Sequence, residues 1–276
     1  MTPKILKNGS ITDFGLGYEY TEHFAGELRL RFSTEVKNEQ FDETIPDSLN
    51  AADENNFEVF LMPFEYFFVK KQRIRIRAGL GLYYSYVTLA EKGYFNMPVL
   101  ETLGKEKVNS FSNDFTMHVL GPILETGFSY REGWFNISVR GGIVPVFYLN
   151  TRQKMGIVPL MEPDYTDYSQ NTSGSPYIYA DVGFILFKYI SLALLYDFSR
   201  LDYDVIDFDN NLNWEHPGRT VTTHSLKAEM SLLIPLQGPV YTQIGYGHTF
   251  DTIQLDSASP VQGNRQYLIF SAKIIN

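Results

Sequence analysis

From Arg73 to Tyr86 the chain alternates with a period of two. Ile74, Ile76, Ala78, Leu80, Leu82, Tyr84 and Tyr86 share one face, and Arg73, Arg75, Arg77, Gly79, Gly81, Tyr83 and Ser85 share the other. A helix would scatter those arginines around its circumference; an extended strand sets them in one row. The texture recurs. Leu28, Leu30 and Phe32 oppose Glu27, Arg29, Arg31 and Ser33; Ile190, Leu192, Leu194, Tyr196 and Phe198 oppose Ser191, Ala193, Asp197 and Ser199. Leu226, Ala228, Met230, Leu232 and Ile234 oppose Ser225, Lys227, Glu229 and Ser231.

The connections sort into two kinds that alternate along the chain. Short ones lie near 22–26, 70–72, 131–133, 188–189 and 236–239, and long polar ones cover 38–56, 89–113, 151–175, 206–219 and 256–263. Tight turns at one end and long loops at the other are the habit of outer-membrane barrels. A sandwich has no reason to segregate its loops this way. The pattern predicts strands at 11–21, 26–37, 57–69, 73–87, 114–130, 134–149, 176–187, 190–203, 221–235, 239–253 and 265–275. Single-chain bacterial barrels usually hold an even number. Thr2–Lys7, turning through Asn8-Gly9, supplies a twelfth strand, since Asn-Gly is a strong hairpin signal; ten strands is the alternative. The expectation is therefore one all-β domain over 1–276, an antiparallel up-and-down transmembrane barrel.

Composition fits. The 276 residues carry 15% aromatics, with 19 tyrosines and 21 phenylalanines, as two interfacial girdles require. Mean hydropathy is −0.18, and no run approaches the ~18–20 apolar residues of a spanning helix. A strand escapes that demand because only alternate residues meet lipid. The net charge of −9 argues against nucleic acid, which selects a basic footprint. There is no cysteine, so neither disulfides nor thiolate chemistry enters. Met1-Thr2-Pro3-Lys4 is followed by no apolar leader core, so a bacterial outer-membrane location implies a signal peptide removed or truncated.

With the apolar face outward, the lumen receives Arg29, Arg31, Arg73, Arg75, Arg77, Arg140 and Lys227. Candidate counter-charges are Glu27, Glu35, Glu58, Glu125, Asp181, Asp197 and Glu229. Both arginine rows come just after short turns, which puts them at the periplasmic end. Two readings stay open: a salt-bridge plug neutralised within its walls, or a basic constriction that selects anions.

Nucleophile-elbow, P-loop, CxxC and HExxH motifs are absent, and His23, His118, His216, His224 and His248 are dispersed. His224 and Ser225 are adjacent on a strand and point to opposite faces, so they form no dyad. No catalytic residue, metal ligand or cofactor is expected. Asn213-Trp214-Glu215-His216-Pro217-Gly218-Arg219-Thr220 resembles the corresponding stretch of omptins, outer-membrane barrel proteases of ten strands. Ser175-Pro176-Tyr177-Ile178 is similar to the start of their preceding hairpin. The resemblance implies that His216 matches the omptin catalytic histidine. The aspartate of that family two positions earlier falls on Trp214, and its Asp-x-Asp pair has no counterpart in 89–113. Asp207-Phe208-Asp209 has the spacing but shares a loop with His216. Barrel ancestry without protease activity is what the likeness implies.

The function expected is a narrow porin for small polar or anionic solutes with an Arg-rich lumen. A surface barrel, adhesive or structural, acting through acidic loops is the alternative; 38–56 alone carries Glu39, Asp42, Glu43, Asp47, Asp53 and Glu54. The partners expected are the outer-membrane bilayer with its lipopolysaccharide or equivalent, the barrel-assembly machinery, and a small solute.

Overall fold

The computed structural model describes residues 6–40, 49–95, 109–158, 161–170, 175–208, 213–236, 240–256 and 260–274. Among them there is no helix. The strands are β1 (Leu6–Glu19), β2 (Phe24–Gln40), β3 (Leu49–Lys70), β4 (Ile74–Phe95) and β5 (Asn109–Glu132), then β6 (Phe135–Val146), β7 (Tyr148–Val158), β8 (Met161–Gln170), β9 (Ser175–Leu186) and β10 (Ile190–Asp204). After these come β11 (Asp207–Phe208), β12 (Trp214–Glu215), β13 (Gly218–Pro235), β14 (Val240–Leu255) and β15 (Val261–Ile274).

Eleven of these close into a ring in the order β1-β2-β3-β4-β5-β6-β9-β10-β13-β14-β15 and back to β1. Each of the eleven segments read from alternation is one of these strands. Among the described residues the twelfth is not formed. Asn8 and Gly9 make no turn; they lie inside β1, opposite Val36 and Glu35, and Thr2–Ile5 fall outside the described residues. An odd ring cannot alternate direction throughout, so one neighbouring pair must be parallel. That pair is β1 with β15, from Asn8↔Gln266 to Phe14↔Ala272. Every other pairing is antiparallel.

The ladders also run further than alternation suggests. β2 and β3 remain paired up to Gln40↔Leu49, so Glu39, Asp53 and Glu54 belong to strands rather than to a free loop; Asp42, Glu43 and Asp47 lie outside the described residues. Much of 151–175 is likewise strand: β7 pairs with both β5 and β8, and carries a hairpin beyond the ring at the long-loop end.

Irregularities re-aim side chains. Opposite β4, the register of β3 shifts between Leu61 and Phe64, and the extra residue reverses the parity up to Phe67, where the register shifts again before Val69. Pro63, which has no N–H for the ladder, sits at this bulge. Glu58, Phe60 and Met62 face inward before it, and Glu65 and Phe67 after it, while Phe64, Tyr66 and Phe68 stay exposed outside. Opposite, Gly81 is the residue that fits, because a Cβ there would collide with the Leu61 carbonyl oxygen and Met62. A further break, at Phe147, separates β6 from β7.

The turn between β9 and β10 holds Phe187 and Lys188 at φ 52° and 67°. Leu186 pairs with Ile190, so three residues make the connection, and Tyr189 donates its N–H to the Leu186 carbonyl at 3.0 Å across Phe187 and Lys188; Phe187 is held there by stacking on Trp134 at 5.4 Å. At the long-loop end Asp256, also at positive φ, closes a clasp. Its carboxylate accepts from the Thr220 backbone N–H at 2.8 Å and from Arg219 at 2.9 Å. These bonds hold its carboxyl below the ordinary aspartate value of 3.8, the backbone bond foremost. A depressed folded value means stability that is present above the unfolded value and lost as pH falls through the folded one. The stability difference between wild type and Asp256→Asn is therefore expected to be full at neutral pH, to shrink below pH 3.8, and to vanish on further acidification. Urea titrations across that range measure it, and a pH-independent difference contradicts the assignment.

Candidate functional site in the barrel lumen

The inward residues of β2 are Glu27, Arg29 and Arg31, and the neighbouring strands complete a lattice around them. Toward the short turns, Arg77 reaches Glu65 at 2.6 Å, Glu27 at 3.3 Å and Glu125 at 3.4 Å. Arg29 bridges to Glu125 and lies 3.6 Å from Glu27, with its guanidinium 4.8 Å above the Phe60 ring. Arg140 pairs with Asp181 at 2.9 Å and approaches Glu27 at 3.7 Å. Tyr179 donates to Glu125 at 2.5 Å.

Nearer the middle, Arg31 binds Asp13 at 2.8 Å and lies 3.9 Å from Glu58. Tyr83 donates to Glu58 at 2.8 Å and Tyr177 to Asp197 at 3.0 Å. Lys227 meets Asp197 at 2.6 Å, and Tyr267 donates to Glu229 at 2.9 Å. Arg73 and Arg75 stay at the rim, on Glu132 at 2.8 Å and Glu19 at 3.7 Å. The side chain of Glu35 lies outside the described residues.

Of the cations expected inside, Arg29, Arg31, Arg77, Arg140 and Lys227 are thus brought together with carboxylates, and Arg73 is left 65% exposed. These five face eight acids: Asp13, Glu27, Glu58, Glu65, Glu125, Asp181, Asp197 and Glu229. Two of the acids lie outside the set read from the sequence. Glu65 turns inward only because of the bulge after Met62, whereas Asp13 follows the alternation of β1, sharing the inward face of Ile11, Gly15 and Gly17 while Phe14, Leu16 and Tyr18 stay exposed. Carboxylate oxygens of Glu27, Glu65 and Glu125 come within 4.8 Å of one another, the spacing of a metal cage. The guanidinium groups of Arg29, Arg77 and Arg140 already neutralise them, so the donors suit cationic side chains rather than an added ion.

The lumen also holds an apolar cluster that a polar-inside reading misses. Phe60, Met62, Val119, Ile123, Val144, Val146, Leu149 and Leu201 are buried together with Tyr83 and Tyr179. The sequence signal is the loss of alternation in 143–149, where both faces of the strand are apolar or aromatic. The cluster fills part of the interior. Two of the lumenal cavities abut it, with Phe60 and Tyr179 lining the first and Tyr83, Val119, Val146 and Leu201 lining the second. One of about 490 Å³ lies toward the turns beside Arg29, Arg75 and Asp181. The other, of about 290 Å³, lies toward the loops beside Ser85, Ser225 and Thr249. Arg31, Tyr177 and Asp197 line both.

At the long-loop mouth, the β7–β8 hairpin leans on the segment after β10. Ile206 donates its N–H to Gln153 at 2.7 Å, and His216 Nε2 lies 2.9 Å from Asp164 of β8. The omptin-like stretch therefore places His216 beside an aspartate from another loop. Trp214 instead pairs with Phe208 in the β11–β12 ladder, and Asp209 lies outside the described residues. The ring of eleven also departs from the ten strands that the resemblance implies. No family model, no curated protein and no solved structure matches this chain.

Proposed function

We propose that this chain is an outer-membrane-spanning barrel that passes small polar solutes through its lumen. The observation that carries the reading is the pair of cavities meeting at Arg31, Tyr177 and Asp197. Because these three side chains line both cavities, they are the groups whose movement is expected to join them. A spanning role is supported by the outward belt, where Phe64, Leu80, Leu124, Leu194, Met230, Leu232, Leu268 and Phe270 are exposed. Soluble monomers rarely leave apolar patches beyond a few hundred Å² uncovered.

The arginine rows taken alone suit anions. With eight carboxylates around five lumenal cations, the path carries both signs with acid in excess, and it favours neutral or cationic polar solutes over a bare anion. Replacing Tyr177 with alanine removes the ring between the cavities, and its expected effect is a severalfold rise in single-channel conductance over wild type in planar bilayers. The reversal potential in a salt gradient is expected to show weak selectivity. Silence from both proteins, with folding verified by heat-modifiable migration in SDS, defeats the conduit.

A surface role rests on a different observation, the β7–β8 hairpin projecting beyond the ring. Deleting that hairpin abolishes binding to a surface partner under this second reading, and leaves conductance in place under the first.

A further inference from the structure

Two copies of one side-chain arrangement decorate the outer wall on different parts of the ring. On β4 and β5, the Tyr84 hydroxyl lies 2.9 Å from His118 Nδ1, and Tyr86 packs tilted against the same imidazole at 4.7 Å. On β10 and β13, the Tyr196 hydroxyl lies 2.8 Å from His224 Nδ1, and Phe198 packs against that ring at 5.0 Å. The register is the same in both. The histidine sits directly opposite the second aromatic, Tyr86↔His118 and Phe198↔His224, and bonds diagonally to the tyrosine two residues before it. Neither imidazole makes any other hydrogen bond among the described residues, so each Nε2 is left without a protein partner.

Their height on the wall is also shared. Residues two apart on a strand share a face, so the outward neighbours of His118 are Thr116 toward the loops and Leu120 toward the turns. Those of His224 are Thr222 and Leu226. Each histidine marks the point where the outer face changes from polar to apolar, which for a spanning barrel is the level of the lipid headgroups.

We propose that these two Tyr–His pairs are binding sites for the phosphate of membrane lipids, an inference that rests on the membrane-spanning reading above. A phenol donating to Nδ1 leaves the proton of a neutral imidazole on Nε2. That N–H is then a fixed donor at headgroup level, with apolar wall below it for acyl chains and threonine above it. Phosphate oxygen is the acceptor that complements it. The tyrosines act as positioning residues, since they set the tautomer and the ring orientation and do not touch the phosphate.

The test uses the full chain with ¹⁵N-labelled histidine, refolded into phosphatidylglycerol vesicles and read by ¹⁵N–³¹P dipolar dephasing. Expected is dephasing of Nε2 signals in wild type, its partial loss in His118→Phe or His224→Phe, and its complete loss in the double variant. Tyr84→Phe and Tyr196→Phe preserve the wall and are expected to move the ¹⁵N shifts away from the Nε2-protonated form, which a purely structural tyrosine would not do. Vesicles of a phosphate-free glycolipid with added inorganic phosphate are expected to give no dephasing; dephasing there makes the ligand free phosphate and overturns the lipid site. A barrel that floats with vesicles but shows no dephasing, or dephasing that survives the double variant, also overturns it. A folded barrel that fails to float with vesicles removes the membrane-spanning reading itself, and this proposal with it.

Discussion

Glu125→Gln is expected to destabilise the barrel by about 3 kcal/mol, the lower end of the cost of removing one partner from a buried ion pair. The side chain is 2% exposed, bridges to Arg29, lies 3.4 Å from Arg77 and accepts from Tyr179. Glutamine keeps the shape and one acceptor but leaves two guanidinium groups short of a negative charge. The loss stays near the lower end because Arg29 keeps Glu27 at 3.6 Å and Arg77 keeps Glu65 at 2.6 Å. Urea titration of folded protein in vesicles measures it. Combining Glu125→Gln with Arg29→Met is expected to cost less than the two changes summed, by about 1–3 kcal/mol, as for groups in one network. A Glu125→Gln variant as stable as wild type would falsify the lattice as a structural element.

The neighbouring position carries the second large effect. Leu124 is 54% exposed on the outer wall, halfway along β5 between His118 and Tyr130, whereas Ile123 is fully buried in the lumenal cluster. Leu124→Arg is expected to cost about 2–4 kcal/mol in a bilayer if this wall faces lipid, the penalty measured for cations deep on such surfaces. On a water-facing wall the same change stays within about 0.5 kcal/mol, like ordinary surface substitutions. Ile123→Val, one residue away and facing inward, is expected to cost about 0.5–1.5 kcal/mol in either environment, because only a methyl group leaves a packed cluster. Stability of the three proteins in the same vesicles decides the matter. A neutral Leu124→Arg sinks the membrane-spanning reading and leaves the closed barrel standing.

Much of the lumenal lattice is legible in the pattern of alternation. Arg29, Arg31, Arg77, Arg140 and Lys227, with Glu27, Glu58, Glu125, Asp181, Asp197 and Glu229, share an inward parity that is readable without coordinates, because a strand turns alternate side chains to one face. Which charges meet is not legible. Arg29 and Glu125 lie 96 positions apart, on strands separated in the ring by two others, and only closure of the sheet sets them against each other. Tyr83 falls on the polar face by parity, yet nothing local indicates that it seals the apolar cluster while donating to Glu58.

Alternation and turn spacing by themselves determined that this chain forms long strands, apolar on one side, joined by short turns at one end and longer connections at the other. These are local properties, set by the two-residue period and by turn chemistry. The ring decided the rest. Whether Asn8-Gly9 turned or stayed extended depended on competition between a hairpin preference and a ladder with β2, and fourteen paired residues from Leu6 to Glu19 favoured the ladder. That outcome made the count odd and forced the parallel seam between β1 and β15. The inward turn of Glu65 came from a bulge whose cause lies across the sheet, where Gly81 admits the Leu61 carbonyl. The apolar cluster in the lumen required residues of β3, β4, β5, β6, β7, β9 and β10 to converge, from Phe60 to Leu201. Periodicity reports which face a side chain is on; it carries no information about what stands opposite, because that depends on how distant strands close.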